Sequence, residues 1–139
     1  MALRRLPGWT AAFSRYIQQA MAVPFDFGQN DCATFAAGDV LAITGQDVRP
    51  VIWSDKRTAA RALKKLGSLA EAVDLALPRL ASPAFAWRGD IVLVAADAMG
   101  SDGPCLAVAD ADRWWAPSAN GLASGPVSAC LMAWGVGHA

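Results

Sequence analysis

The chain has few of the residues that build metal centres and disulfide scaffolds. It contains one histidine and three cysteines in 139 residues, and Cys32, Cys105 and Cys130 are widely spaced with no CxxC pair. That pattern fits neither a disulfide framework nor a zinc site, so no metal or other cofactor is expected and maturation in a reducing cytoplasm is. Charge is scarce as well: 17% of residues are charged, and 12 Lys and Arg balance 12 Asp and Glu. No field of one sign marks the chain for nucleic acid or an anionic membrane. Long apolar runs are missing; the longest, such as Ile91–Ala96, are far too short for a bilayer, so no membrane insertion is expected. Arg15, Gln18 and Gln19 interrupt the N-terminal stretch, so no secretory signal is expected either.

Apolar residues are plentiful, at 55%. Either the core is large for the chain, or a partner covers part of the apolar surface. The length suits one domain, taken as residues 1–139. The charges are uneven: Lys56, Arg57, Arg61, Lys64 and Lys65 cluster on what reads as a solvated helix face.

Trp9, Phe13, Tyr16, Ile17 and Ala20 recur at helical spacing and predict a first helix ending near Pro24. A second runs from about Asp31 to Thr44, with Phe35, Ala36, Val40 and Ile43 inward and Gly45 closing it. A third is predicted over 54–67. A fourth opens with the capping-box pattern Ser68–Glu71 and stops by Pro78. Beyond Pro83, Asp90–Ala95, Cys105–Asp110 and Arg113–Ser118 read as short strands, and GLASGPV and LMAWGV can add two more. Helices first and an antiparallel sheet afterwards make an α+β domain.

Cys32 is the first candidate for chemistry. With Asn30 or Asp31 as cap it falls in the first helical turn, where free N–H groups and the helix dipole favour a thiolate and can support an oxyanion. A small apolar residue buried at a helix start is the plainer reading, because cysteine is among the most buried residue types.

The order of features carries more. A DC opening a helix, then Gly89–Asp90 leading the IVLV strand, then two further strands, resembles the NlpC/P60 family of papain-like cysteine peptidases. FDFGQNDCATFAAGDVLAITGQD, RGDIVLV and APSANGLASGPVSACLMAW together look like a small NlpC/P60-related family encoded in the tail-tip modules of phages, prophages and gene transfer agents. The resemblance runs from about Phe25 to Val136. It implies a papain-like fold with N-terminal helices packed on a small antiparallel sheet, and Cys32 in the nucleophile's place.

Papain-like chemistry also needs a base and a third polar group to orient it. The resemblance puts Cys105, in CLAVA, where the base histidine belongs, and Trp115, before Ala116, at the third polar position. Asp31 is a poor substitute base for a thiol. His138 is penultimate and expected to fray. The implied function is a structural component of a phage or prophage tail tip or baseplate with a degenerate site. It would be made in the bacterial host cytoplasm and carried in the virion. The alternative is an active cysteine peptidase or amidase that cleaves peptidoglycan during entry through Cys32. The implied partners are other tail-tip proteins (hub, central fibre or distal tail subunits), with peptidoglycan for the alternative.

Three further features are weighed from the residues. Arg88–Gly89–Asp90 reads as a turn before a buried strand, and Gly100–Pro104 as a hairpin loop. Cys130 reads as core. Adjacent Trp114 and Trp115 must point to opposite sides of a strand, so one is expected in the core and the other outward, as an anchor for a partner.

Overall fold

The computed structural model describes residues 3–26, 31–48, 68–99 and 104–138. The predicted helix over 54–67, with its basic cluster, lies outside the described residues, as does most of the Gly100–Pro104 loop.

Helix α1, Trp9–Ala20, buries Phe13, Ile17 and Ala20, the face its spacing predicted, and ends four residues before Pro24. Helix α2 spans Cys32–Thr44. Asp31 caps it, its side chain accepting from the Thr34 N–H at 2.8 Å, which satisfies one of the unpaired donors of the first turn. Gly45 closes it, its N–H bonding to the Leu41 carbonyl. The four residues expected inward are buried, and so are Ala33, Ala37, Asp39 and Thr44. The helix is covered nearly all round because α1 packs on one side and the sheet on the other. Tyr16 ties α1 to α2 by donating its hydroxyl to the Phe35 carbonyl at 2.8 Å. Gly38 leaves room for that hydroxyl, which a side chain there would strike. Helix α3, Ser68–Asp74, lies ahead of Pro78.

The strands are β1 (Ile91–Val94), β2 (Cys105–Asp110), β3 (Arg113–Ser118), β4 (Gly121–Pro126) and β5 (Met132–Trp134), with a short helix α4 (Ala96–Met99) between β1 and β2. They form one sheet in the order β4-β3-β2-β1-β5, every neighbouring pair antiparallel. The protein is therefore α+β. All four residues of β1 are buried, since both sheet faces are covered. Ile91, Leu93, Leu106, Val108 and Trp134 join the core beneath the helices. Val92, Val94, Ala107, Ala109, Trp114 and Ala116 form a second core on the far face, under the 3-10 turns Pro83–Phe85 and Val127–Ala129. The outer edge of β5 is occupied by residues 78–80: Leu80 N–H bonds to Ala133 and Gly135 N–H to Pro78. No helix of the described residues is long and apolar enough to cross a membrane.

At the opposite edge, Gly121 opens β4 with φ 110°, and a Cβ there would collide with the Met21 carbonyl oxygen at the end of α1. Backbone cannot move aside as a flexible side chain can. Gly121→Ala is thus expected to lower the unfolding free energy by about 2 kcal/mol. Urea titration with an unchanged m-value checks this; a variant as stable as the parent shows that the α1–β4 junction is soft.

Candidate functional site

Two side-chain constellations lie at opposite ends of the β1–β2 pair. The first is built from the residues expected to carry chemistry. Cys32 opens α2 and Cys105 opens β2, two elements that pack against each other. The Cys105 thiol and the Leu106 backbone N–H are both near enough to Cys32 to bear on its titration. Both residues are half-buried and free of any disulfide.

The helix terminus favours a thiolate at Cys32, but the surroundings push the other way. The Cys105 thiol pushes the Cys32 pKa upward, and burial adds to the shift. The Leu106 N–H opposes them, while the nearby Asp31 carboxylate pushes the same way as burial. At the helix terminus itself, the Thr34 N–H is already taken by the cap. The net direction for Cys32 is upward, toward the neutral thiol.

Trp115 is not brought to this pair. It stands opposite Val108, three residues along β2 from Cys105, a separation of about 10 Å at strand rise. Its indole N–H donates to Asp110 Oδ2 at 3.0 Å, and the Arg113 guanidinium lies 5.2 Å from its ring. Asp110 Oδ1 in turn accepts from Arg88 at 2.9 Å. Strand alternation does separate the adjacent tryptophans: Trp114 is buried in the far-face core, and Trp115 is half-buried on the helix side. Trp115 is thus engaged within the fold rather than turned fully outward. Among the described residues the exposed tryptophan is Trp87. Cys130, expected in the core, is only half-buried beside the far-face core.

The second constellation was missed in the sequence. Asp90, the last residue of the RGD triplet, is fully buried just before β1, after a turn in which Gly89 has φ 92°. Its Oδ1 accepts from Arg5 Nη2 at 3.0 Å and from the Val136 N–H at 2.9 Å. Its Oδ2 accepts from the Trp87 N–H at 2.6 Å and lies 2.6 Å from His138 Nε2. His138 is therefore not frayed. Its ring stacks on Trp87 with centroids 3.7 Å apart, and Asp90 anchors its far side. Arg5 also donates to the Val136 and Arg88 carbonyls and lies 4.2 Å from the Trp9 ring centre. A segment near each chain end is thereby tied to one carboxylate.

Asp39, in the middle of α2, completes the group electrostatically. It is fully buried, and neither carboxylate oxygen has a hydrogen-bond partner. Burial pushes its pKa well up; Arg5 opposes that shift and Asp90 adds to it. Spacing held the clue, since Asp39 falls four residues from both Phe35 and Ile43, on a stripe that must face inward.

His138 cannot act on Cys32. Val94 pairs with Cys105, and Asp90 lies four residues before Val94, which puts the two constellations about 13 Å apart along the strands. Among the described residues no group of three or more His, Cys, Asp or Glu is placed to hold a metal ion.

No curated protein and no solved structure matches the chain. A family described as Domain of unknown function (DUF6950) matches residues 4–136, a span that holds Arg5, Cys32, Asp39, Asp90, Cys105 and Trp115. With nearly its whole length inside that match, the chain belongs to the DUF6950 family.

Proposed function

We propose that this protein is a papain-like, NlpC/P60-related domain kept as a structural component of a phage or prophage tail tip or baseplate, without a working catalytic centre. One observation carries the reading. Where a papain-like enzyme needs a base beside its nucleophile, Cys32 has the thiol of Cys105, and that contact favours the neutral form of Cys32. A thiol cannot stand in for imidazole: it neither takes the proton near neutral pH nor returns one to a leaving amine. The one histidine is about 13 Å away along the sheet and committed to Asp90. Trp115, at the third position, offers only an N–H donor, and Asp110 accepts it.

A structural role also suits the surface. Phe85, Trp87 and Leu131 are exposed on a chain with little charge for steering, so association would rest on buried apolar area. The partners in this reading are other tail-tip proteins (hub, central fibre or distal tail subunits), and the protein travels in the virion.

The test compares the purified protein with Cys32→Ala on peptidoglycan and on stem peptides. No turnover above the Cys32→Ala control is expected. Cys105→His should restore little activity, because Trp115, the residue expected to orient the base, lies about 10 Å away along the strand and offers only an N–H donor. Cys32-dependent hydrolysis by the parent chain overturns the reading in favour of a cell-wall peptidase. Purified particles should also contain the protein at fixed stoichiometry; its absence from them removes the virion role.

A further inference from the structure

The far face of the sheet has a thin cover. Its core is mostly alanine and valine, and among the described residues the elements over it are the two short 3-10 turns, Pro83–Phe85 and Val127–Ala129. The turns pack against each other, and the first also packs against β5. Phe85, and Leu131 on the way from the second turn into β5, remain 62% and 55% exposed. Ala81, Ala84, Ser128 and Ala129 beside them are exposed as well.

Charge is missing from both segments. No Asp, Glu, Lys or Arg occurs between Arg79 and Arg88, and none between Arg113 and His138. The arginines that bound the first run are paired within the chain, Arg79 with Asp74 at 2.6 Å and Arg88 with Asp110 at 2.9 Å. Arg113, which opens the second run, lies over Trp115 on the helix side of the sheet. A single exposed apolar residue among charges is ordinary surface, whereas exposed aromatic and aliphatic side chains in an uncharged setting have the composition of an interface centre.

We propose that this uncharged far face is where two copies of the chain pair about a two-fold axis, with Phe85 and Leu131 of each copy packed against the other. Charge and area both favour a second copy over a different protein. A two-fold sets the patch against itself, so an unbalanced charge would meet its own sign; these segments carry none, and the flanking arginines are already neutralised. A different partner would be selected by complementary charge, and the patch offers none to read. The two segments present on the order of 600 Å² per copy, so pairing buries about 1,200 Å², the lower limit for a specific interface. That area suits a dimer forming in the micromolar range. Strand addition beside the patch is closed, because residues 78–80 already occupy the outer edge of β5. The contact is face to face.

Sedimentation equilibrium of the purified chain across about 5–500 µM tests the pairing. The expected result is a monomer–dimer equilibrium with Kd on the order of 10–100 µM, little changed by salt because no charge pair crosses the contact. Phe85→Glu and Leu131→Glu should each weaken dimerisation by at least about 100-fold, since the two-fold brings every substitution into the contact twice, while circular dichroism stays that of the parent. Leu41→Glu, at an exposed position of α2 in the layer on the other side of the sheet, should dimerise like the parent. A second measurement needs no variant: Cys130, next to Leu131, should react more slowly with a maleimide at the upper end of the concentration range than at the lower, as read by peptide mapping. A parent chain that stays monomeric throughout overturns the proposal and leaves the patch to a different protein. A dimer that survives both far-face substitutions, that Leu41→Glu breaks, or that leaves Cys130 equally reactive overturns it too. Self-association is read without peptidoglycan or particles, so its failure and that of the function proposed above are separate results.

Discussion

Asp90→Ala is expected to lower the unfolding free energy by about 3–5 kcal/mol, the range seen when one partner of a buried ion pair is removed. The carboxylate is fully buried and serves four groups: Arg5, His138 and the backbone N–H groups of Trp87 and Val136. Truncation leaves the Arg5 guanidinium, whose side chain is 7% exposed, without its counter-charge, and it strips the buried Val136 N–H and the part-buried Trp87 N–H of their acceptor. Asp90→Asn keeps the shape but turns an NH2 toward a site crowded with donors, so it should fall between alanine and the parent. His138→Ala should cost far less, about 1 kcal/mol, because that side chain is partly exposed and the other three contacts survive.

Urea unfolding followed by tryptophan fluorescence orders the three variants, and hydrogen exchange gives an independent check. In Asp90→Ala the amides of Leu6 and Val136 should lose protection well before those of β2, since the carboxylate holds the segments on which they lie. A loss under 1 kcal/mol for Asp90→Ala would show that the terminal segments are secured by Arg5 contacts to the Val136 and Arg88 carbonyls instead.

What the sequence revealed follows the range of the forces involved. Helix α2 was legible because its signals are local: a capping aspartate, an inward stripe and a closing glycine. The strands were legible because β-branched or aromatic stretches alternate with Gly, Pro, Asp and Asn turns, and β2 and β3 match their predicted ends. The far-face core was not, since its cover is two 3-10 turns that carry no periodicity. Nor was the Asp90 cluster. It joins residues 5, 90 and 138, and nothing at any one of these positions announces the other two. His138 read as a frayed end because local rules see two residues from a terminus and not the stacked Trp87. At Cys32 local rules could offer both an activated thiolate and a plain buried residue without deciding between them. The field of the helix terminus is a local inference, whereas the burial and the Cys105 thiol that oppose it come from tertiary structure.

Asp39→Asn should change how stability depends on pH, and the sign follows from burial. The folded protein pushes the Asp39 pKa well above the ordinary 3.8, so the folded state holds the proton over a range where the unfolded state has lost it. Parent stability therefore contains a contribution fully present below the unfolded value, and it falls as pH rises toward the folded one, by about 1.4 kcal/mol per pH unit. Asparagine has no proton to lose. Below pH 4 the variant should be no more stable than the parent, because its amide is as badly served as a protonated carboxyl in a site that offers no hydrogen bond. Above that, the two curves should diverge with the variant increasingly the more stable, levelling off once the folded parent ionises. Arg5 limits the divergence, since its charge draws the Asp39 pKa back down. Urea midpoints at half-unit steps from pH 3.5 to 8 measure the difference directly. Parallel curves would mean that Asp39 ionises at its ordinary pH in the folded protein, which requires water or a counter-charge at a carboxylate that here has neither hydrogen-bond partner nor exposure.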